Sequence, residues 1–252
     1  MVHDRHIPLD GTSNMRDLGG LPLAGGRRMR RGRVYRAGAL HELSDADRAK
    51  LAGLGIATSV DLRSEAERAH APSRLPPGVA VLAPGDGGVG AQPGLRQLNP
   101  KTAADAIRMM QAGNRSYPER LAAAVAETFR AVVAAGEKAG PGGPASAVLF
   151  HCSAGKDRTG FFAAILLLSA GASRETVIED YLATNLIWRR NSVFINQLPE
   201  AVREPVFAAR ADYIESALEE VDSRYGSVEA YLAGRCTIPA DLLARYAGAI
   251  AE

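Results

Sequence analysis

Cysteine is scarce in this chain of 252 residues, and long apolar runs are absent. Its two cysteines, Cys152 and Cys236, cannot form the disulfide framework of a secreted domain of this size. The first residues contain no apolar signal core, and the longest apolar run, around residues 161–168, is too short to span a bilayer. We therefore expect a cytoplasmic protein with no integral membrane segment, although export by a route without a cleaved signal stays open.

Lysine and metal-binding patterns are also sparse. Only four of the 30 basic residues are lysines, and the formal net charge of +2 gives no indication of a nucleic-acid partner. The five histidines show no metal-ligand spacing, so no metal site is expected. With 46% hydrophobic residues the chain can bury a large core, and we expect one domain over residues 1–252.

The stretch at residues 146–160 has the pattern of a strand, a tight loop and a helix. The apolar run Ala147 to Phe150 predicts one buried strand, and helix-compatible residues resume near Arg158 and continue to Leu168. Such a loop directs backbone N–H groups at one point, which favours binding of an anion. A nucleotide P-loop is excluded, because that motif requires glycine where Phe150 stands.

The residues at the two ends of this loop supply its chemistry. Cys152 opens the loop, and the reactive thiolate form of a cysteine is favoured at a helix N-terminus beside a cation. Arg158 closes the loop, and its planar fork matches two phosphate oxygens in a way that a lysine does not. The hydroxyl of Thr159 could stabilise the thiolate when it leaves. The pattern predicts a cysteine nucleophile in a phosphate-binding loop.

The sequence His-Cys-x5-Arg-Thr-Gly at residues 151–160 resembles the signature loop of cysteine-dependent protein tyrosine and dual-specificity phosphatases. Its fuller form, His-Cys-Ser-Ala-Gly-Lys-Asp-Arg-Thr-Gly, is similar to that of the bacterial tyrosine/serine phosphatase family. Weaker likenesses extend over nearly the whole chain, at residues 14–20, 34–38, 61–67 and in the C-terminal part. The resemblance implies phosphomonoester hydrolysis through a phosphocysteine intermediate, without metal or other cofactor, on phosphotyrosine and phosphoserine proteins. It also implies that phosphate or vanadate binds in the active site.

The resemblance implies an α/β fold of three layers. We expect a central, mostly parallel sheet of four or five strands, helices on both faces and a helical C-terminal region at residues 173–252. A helical insertion at residues 88–116 is a candidate lid. Local patterns further predict a loop from Gly136 and a helix that has Pro205 in its first turn and runs to Val221.

Candidate site residues follow from the same resemblance. The phosphate-binding residues are expected to be Cys152, Ser153, Ala154, Gly155, Lys156, Asp157, Arg158 and Thr159. The leaving oxygen needs a proton donor, for which a positioned aspartate is usual in such enzymes. Asp86, which follows a strand among flexible glycines, is the first candidate and Asp157 in the loop is its rival; Asp17 and Asp61 are less favoured.

Other charged residues permit two readings each. Arg16, Asp17 and Arg36 either support the phosphate site or form structural ion pairs, whereas Asp61 and Arg63 more readily form a structural pair. Lys156 either adds a cation at the phosphate, as in phosphoinositide phosphatases, or points to water at a helix start.

Two other function classes fit the loop less well than a phosphatase. A phospho-binding module without turnover would usually have lost the cysteine or the arginine of the loop, and this chain has both. Sulfurtransferase loops of the rhodanese kind lack the Arg-Thr-Gly that ends this loop. Arsenate reductases need further redox cysteines, for which Cys236 alone is thin support.

Overall fold

A computed structural model describes residues 2–84, 99–139, 146–189 and 198–252. At its centre is a five-stranded sheet of β1 (Arg16–Asp17), β2 (Val34–Ala37), β3 (Ile56–Asp61), β4 (Ala80–Leu82) and β5 (Ala147–His151). The strand order is β1-β2-β5-β3-β4, with β1 antiparallel to β2 and all other neighbours parallel. The strand after which the loop begins is therefore central, and the predicted mostly parallel sheet is confirmed.

Helices occupy most of the remaining described residues. In chain order they are α1 (Asp45–Gly53), α2 (Glu65–His70), α3 (Ala103–Arg115), α4 (Tyr117–Arg120), α5 (Ala122–Ala139), α6 (Asp157–Ser169), α7 (Arg174–Leu182), α8 (Thr184–Ile187), α9 (Glu200–Phe207), α10 (Ala211–Tyr225), α11 (Val228–Gly234) and α12 (Ala240–Ile250). No helix in these described ranges is long and apolar enough to cross a membrane.

Alternation of side chains along β5 separates two cores. Val148 and Phe150 join the larger core, which includes apolar residues of α5, α6 and α10 to α12. Ala147 and Leu149 face the smaller core, which contains Leu51 of α1 and residues of the N-terminal segment. Because a parallel strand is covered on both faces, its sequence reads as a continuous apolar run. The expected helical layers on both faces of the sheet are thus confirmed.

Two local predictions are wrong. The chain does not leave the helix at Gly136, and α5 continues to Ala139. A Cβ at Gly136 would lie 2.8 Å from the Cβ of Ala249 in α12, so this glycine permits close packing of two helices. A helix interior can contain glycine when tertiary packing outweighs its low propensity.

Pro205 lies near the C-terminal end of α9 and not at the start of a helix that runs to Val221. Proline has no N–H to continue the helical hydrogen bonds, and α9 ends two residues later. A separate helix, α10, begins at Ala211. The Tyr213 hydroxyl donates a hydrogen bond of 2.7 Å to the Pro205 carbonyl and connects the two helices across the break.

Candidate active site

Three strand ends converge at the site. Ala37 of β2 and Asp61 of β3 are both in register with His151, the last residue of β5. Cys152 follows directly and is buried at the carboxyl edge of the sheet. The loop at residues 152–158 then leads into α6, whose N-terminus carries partial positive charge. The strand–loop–helix arrangement predicted from the sequence is therefore present around Cys152.

Gly155 gives the loop its shape. Its φ of +65° lies in the left-handed region, which residues with a Cβ rarely adopt. A Cβ at this position would lie 2.5 Å from the Ala37 carbonyl oxygen and 2.7 Å from the Gly38 nitrogen. Only glycine fits, because the loop passes directly over the end of β2.

The carbonyl groups of the loop are held by the surrounding structure. Asn14 Nδ2 donates to the carbonyls of Ala154 and Gly155 at 3.2 and 2.7 Å. Arg36 Nη2 donates to the Gly155 carbonyl at 2.9 Å, and the Ala39 N–H donates to the Ser153 carbonyl at 2.9 Å. The surrounding residues therefore fix the loop by donating hydrogen bonds to its carbonyl oxygens.

Five backbone N–H groups of the loop, in contrast, are available to a ligand. In the described chain, no hydrogen bond to a protein acceptor is made by the backbone N–H groups of Ser153, Ala154, Gly155, Asp157 and Arg158. Buried or partly buried N–H groups in native proteins are almost always satisfied. A tetrahedral anion with several oxygens would supply the missing acceptors.

A buried charge cluster lies beneath the loop. Among the described residues, Arg5, Arg16 and Arg36 all contact the Asp180 carboxylate of α7, at 2.9, 3.1 and 2.7 Å respectively. The side chains of Arg16 and Arg36 are fully buried, and that of Asp180 is 1% exposed. Burial alone would raise the pKa of Asp180, but the three guanidinium groups outweigh burial and hold that pKa well below its ordinary value.

This cluster combines the two readings that the sequence left open. Arg16 and Arg36 form structural ion pairs, and Arg36 also holds the Gly155 carbonyl of the loop. Three guanidinium groups around one carboxylate leave excess positive charge below an anion site, which favours a bound anion. Asp17 has a different place, since its carboxylate accepts hydrogen bonds from the N–H groups of Gly19 and Gly32.

Arg158 is held by a residue that sequence reasoning did not assign a role. Its Nη1 and Nη2 atoms donate to the two carboxylate oxygens of Glu67 at 2.7 and 2.8 Å. Burial would lower the pKa of Arg158, but the pair with Glu67 raises it well above its usual value. In the sequence, Glu67 ends the stretch 61–67 that resembles the family and stands in the capping motif Ser64-x-x-Glu67, which indicates a helix start and not a site.

Asp61 and Arg63, which we predicted to form a structural pair, form a buried ion pair. Arg63 donates to both oxygens of Asp61, at 2.9 and 2.7 Å, and both side chains are buried. His151 Nε2 lies 3.6 Å from Asp61, and burial lowers the pKa of His151 to about 4. The Leu62 N–H donates to the His151 carbonyl at 2.9 Å, so the segment after β3 also supports the end of β5, where the phosphate loop begins.

The candidate acids differ in what the structure describes. Asp86 lies outside the described residues. Asp157, the first residue of α6, accepts a hydrogen bond of 2.7 Å from the Tyr181 hydroxyl, and its other oxygen lies 3.5 Å from Lys156 Nζ. Asp17 and Asp61 are occupied by the contacts given above.

Lys156 does not point to water. Its side chain is 2% exposed, and Nζ donates to the carbonyls of Val206 and Ala208 at 2.7 and 3.1 Å. The ammonium also lies 5.9 Å from the centres of the Trp188 and Tyr213 rings. It therefore contacts the C-terminal end of α9, where helix carbonyls and the helix dipole attract a cation.

Thr159 and the candidate lid complete the surroundings. The Thr159 hydroxyl is buried and has no hydrogen-bond partner within the described chain, so it is available to the neighbouring sulfur or its ligand. Residues 88–98 of the candidate lid lie outside the described residues. Most of the remainder forms α3, whose Ala106 and Met109 pack with apolar residues of α9 in a third core separate from the other two.

The comparisons with known proteins agree with this geometry. The profile of the tyrosine phosphatase family matches residues 7–249. A provisionally named tyrosine-protein phosphatase of Cupriavidus necator is 36% identical over 246 residues, covering 92% of this chain and 84% of its own. The triple specificity protein phosphatase PtpB of Mycobacterium tuberculosis is 32% identical over 265 residues, covering 89% of this chain and 91% of its own.

Among solved structures, Pseudomonas aeruginosa TpbA matches 75% of this chain and 87% of its own at 21% identity, with a TM-score of 0.33. The family profile and the two sequence relatives support protein phosphatase activity. The chain therefore belongs to the tyrosine phosphatase family.

Proposed function

We propose that this protein hydrolyses phosphotyrosine and phosphoserine in proteins, without a metal, through a phosphocysteine intermediate on Cys152. One observation carries the proposal. Cys152 begins a loop whose carbonyls are held by Asn14 and Arg36, while five of its backbone N–H groups have no protein acceptor in the part of the chain that the structure describes. Preorganised donors of this kind stabilise charge in a phosphoryl-transfer transition state at little reorganisation cost.

The first step transfers the phosphoryl group to sulfur. The Cys152 thiolate attacks phosphorus, an S–P bond forms, and the P–O bond to the leaving group breaks. The leaving oxygen takes a proton from a carboxylic acid, which becomes a carboxylate. The N–H groups of the loop and the guanidinium of Arg158 bind the three non-bridging oxygens, whose geometry a planar fork matches.

The second step regenerates the enzyme. The carboxylate removes a proton from water, the water oxygen bonds to phosphorus, and the S–P bond breaks to give inorganic phosphate and the Cys152 thiolate. The buried Thr159 hydroxyl, which has no protein partner among the described residues, donates to the departing sulfur in this proposal.

Substitution of the nucleophile tests this scheme. Cys152→Ser is expected to abolish turnover of 4-nitrophenyl phosphate and to leave binding of orthovanadate or phosphate largely intact, because the hydroxyl preserves the shape of the loop. Wild-type activity should persist in EDTA and be lost with orthovanadate. Appreciable turnover by Cys152→Ser, or loss of wild-type activity in EDTA, would contradict the proposal.

Either Asp86 or Asp157 acts as the acid, and leaving-group dependence separates them. If Asp86 is the acid, Asp86→Asn should lower turnover of phosphotyrosine about 100-fold or more but affect 4-nitrophenyl phosphate less. Asp157→Asn should then lower both alike, since Asp157 is held by Tyr181 and Lys156. The reverse pattern would assign the acid to Asp157.

Phosphoinositides are the alternative substrates. Such substrates would be favoured by a lysine ammonium beside the phosphate, as in phosphoinositide phosphatases. The ammonium of Lys156 instead contacts the carbonyls of Val206 and Ala208. We therefore favour phosphoproteins, and the name of the M. tuberculosis relative is consistent with more than one substrate class. Rates on phosphotyrosine peptides, phosphoserine peptides and phosphoinositide vesicles, measured side by side, would decide. A clear preference for the vesicles would overturn the protein assignment.

The proposed function includes a cover over the site. We expect residues 88–116 to act as a lid, because α3 packs on α9 and the neighbouring residues Val206 and Ala208 contact Lys156 of the loop. Proteolysis within residues 88–98, with and without orthovanadate, measures closure. Equal cleavage rates would argue against a lid.

A further inference from the structure

We propose that an exposed basic hairpin, residues 20–31, is a docking surface for an acidic segment of a partner protein. Four of the five residues from Arg27 to Arg31 are arginines, and the fifth, Met29, is buried. Residues 18–33 contain no aspartate or glutamate. The other 26 lysines and arginines of the chain are outnumbered by its 28 acidic residues, so this segment alone makes the net charge positive.

The backbone of the basic hairpin is fixed on both sides. The Met29 N–H donates to the Leu21 carbonyl at 2.9 Å, and the Met29 carbonyl accepts from the Gly20 N–H at 2.6 Å. On the other side, the Arg28 N–H donates to the Glu252 carbonyl at 2.7 Å, and the Arg28 carbonyl accepts from the Glu252 N–H at 2.9 Å. A partner therefore does not have to order this segment, which reduces the entropy lost on binding.

The guanidinium groups have donors available to a partner. Arg27 and Arg28 are exposed, and each donates to one backbone carbonyl, of Ala24 and Gly20, at 3.3 and 2.9 Å respectively. Within the described residues neither guanidinium pairs with a carboxylate. Since a guanidinium has five N–H donors, most of the donors of these two arginines face water.

Arg30 and Arg31 each have one carboxylate neighbour in the described chain. Arg30 Nε lies 3.6 Å from the Glu252 carboxylate, and Arg31 Nη2 lies 2.6 Å from that of Asp4. The two acidic side chains are 53% and 57% exposed, so water screens both pairs. Four guanidinium groups against two exposed carboxylates leave an excess of positive charge, which attracts an anionic partner.

The basic hairpin lies far from the phosphate loop. Helix α6 begins at Asp157 in that loop and ends at Ser169, and its 13 residues extend over about 20 Å. The Ala24 N–H donates to the carbonyl of Gly171, just beyond the end of α6, at 2.8 Å. The hairpin is therefore at the opposite end of α6 from Cys152 and is separate from the anion site of the loop.

Three features favour an acidic protein segment over a membrane or a nucleic acid. The large apolar side chains that are exposed in the described residues are Val81 and Leu186, so the hairpin has no apolar anchor for a bilayer. Residues 18–33 contain no aromatic side chain on which bases could stack. The cations of the hairpin are all arginines, which bind carboxylates with two prongs and are enriched at protein interfaces, where lysine is depleted.

Binding of a fluorescein-labelled poly-L-glutamate peptide, measured by fluorescence anisotropy, tests this surface. Arg27→Gln/Arg28→Gln removes two charges without breaking an ion pair in the described chain. We expect this variant to bind the peptide roughly 5- to 20-fold more weakly than the wild type, the scale of two exposed ion pairs. Its kcat/KM for 4-nitrophenyl phosphate should stay within about twofold of the wild-type value, because the substitutions are far from the loop. Unchanged peptide affinity would overturn the proposal.

Arg74→Gln/Arg108→Gln is the matched control. Arg74 precedes β4 and Arg108 lies in α3, and their side chains are 56% and 70% exposed. This variant loses the same charge from other parts of the surface, so we expect it to bind the peptide like the wild type. An equal loss of affinity in the control would show that the peptide responds to net charge alone, and would overturn the proposal.

Further measurements on the folded wild type separate the hairpin from other binding sites. Saturating orthovanadate should not displace the peptide, and displacement would place the peptide in the active site and overturn the proposal. Vesicles of phosphatidylserine and phosphatidylcholine, and a DNA duplex, should bind more weakly than the peptide at equal salt. Tighter binding of either one, weakened by Arg27→Gln/Arg28→Gln, would assign the hairpin to a membrane or a nucleic acid instead. Cys152→Ser should bind the peptide like the wild type, so this test does not depend on the proposed hydrolysis.

Discussion

Replacing Asp180 tests how strongly the buried charge cluster supports the catalytic loop. In Asp180→Asn, three buried guanidinium groups would lose their counter-charge, and arginines stay protonated even when buried. Removing one partner of a buried ion pair typically costs about 3–5 kcal/mol, because the remaining charge is left uncompensated. We expect a loss of this size in the free energy of unfolding.

The corresponding shift in melting temperature is measurable. For a domain of 252 residues, each kcal/mol changes the melting temperature by about 2 °C, so about 6–10 °C should be lost. Urea unfolding at 25 °C gives the free energy directly. Activity should fall as well, since Arg36 joins Asp180 to the Gly155 carbonyl of the phosphate loop.

Asp222→Asn is the matched control. Arg174 contacts Asp222 on the surface, where both side chains are 44% exposed, so removing this pair should cost at most about 1 kcal/mol. If both variants lose the same small amount, the burial argument for Asp180 is wrong.

The sign of the pH dependence gives a second test. Because the folded-state pKa of Asp180 is depressed, its contribution is present above the unfolded pKa of about 4 and is lost as the pH falls toward the folded value. The difference between wild type and Asp180→Asn should therefore be constant from about pH 5 to 8 and shrink below about pH 4. A difference that grows on acidification would contradict this reasoning.

Three further predictions concern the loop and its support. Arg158→Lys should lower kcat/KM by at least roughly 100-fold, because it retains charge but loses the two-pronged contact; a loss under fivefold on 4-nitrophenyl phosphate would remove this account. Gly155→Ala should abolish phosphate binding by isothermal calorimetry, because its Cβ would meet the Ala37 carbonyl at 2.5 Å in a left-handed backbone, whereas Gly234→Ala, at a site with open space, should bind normally. Burial lowers the pKa of His151 to about 4, so its contribution to the free energy of unfolding is present above about pH 6.5 and is lost as the pH falls toward 4, by about 3 kcal/mol in all. If the free energy of unfolding of a His151→Asn variant, measured with urea, falls with pH over that range as steeply as that of the wild type, this reasoning is refuted.

The central strand and the loop after it could be read from sequence because they depend on neighbours in the chain. The apolar run at residues 147–150 predicts a strand buried on both faces, and the register confirms it. The capped start of α1 at Ser44 depends on neighbours in the same way, since capping joins residues only three positions apart. The spacing of Cys152 and Arg158 places both groups at one loop without knowledge of the rest of the fold.

The supports of that loop could not be read in this way. Asp180 lies 164 positions from Arg16 and 144 from Arg36, and nothing in the local pattern of α7 distinguishes it from a surface acid. Glu67 is 91 positions from Arg158, and nothing in residues 61–67 indicates that it would face that arginine. Which acid faces which arginine depends on how the helices pack against the sheet.

At Lys156 and Pro205, the local sequence pattern permits more than one structure, and tertiary packing decides between them. A lysine at a helix start usually points to water, yet here the end of α9 presents carbonyls that bind its ammonium. The prediction for Pro205 is wrong because a proline permits either a first helical turn or a helix end, and only the packing of α9 and α10 selects between them. The sequence by itself determined the strand, the loop and its reactive residues through interactions over a few positions. Tertiary structure alone decided the ion pairs that hold them, because these join residues that approach only when separate elements pack.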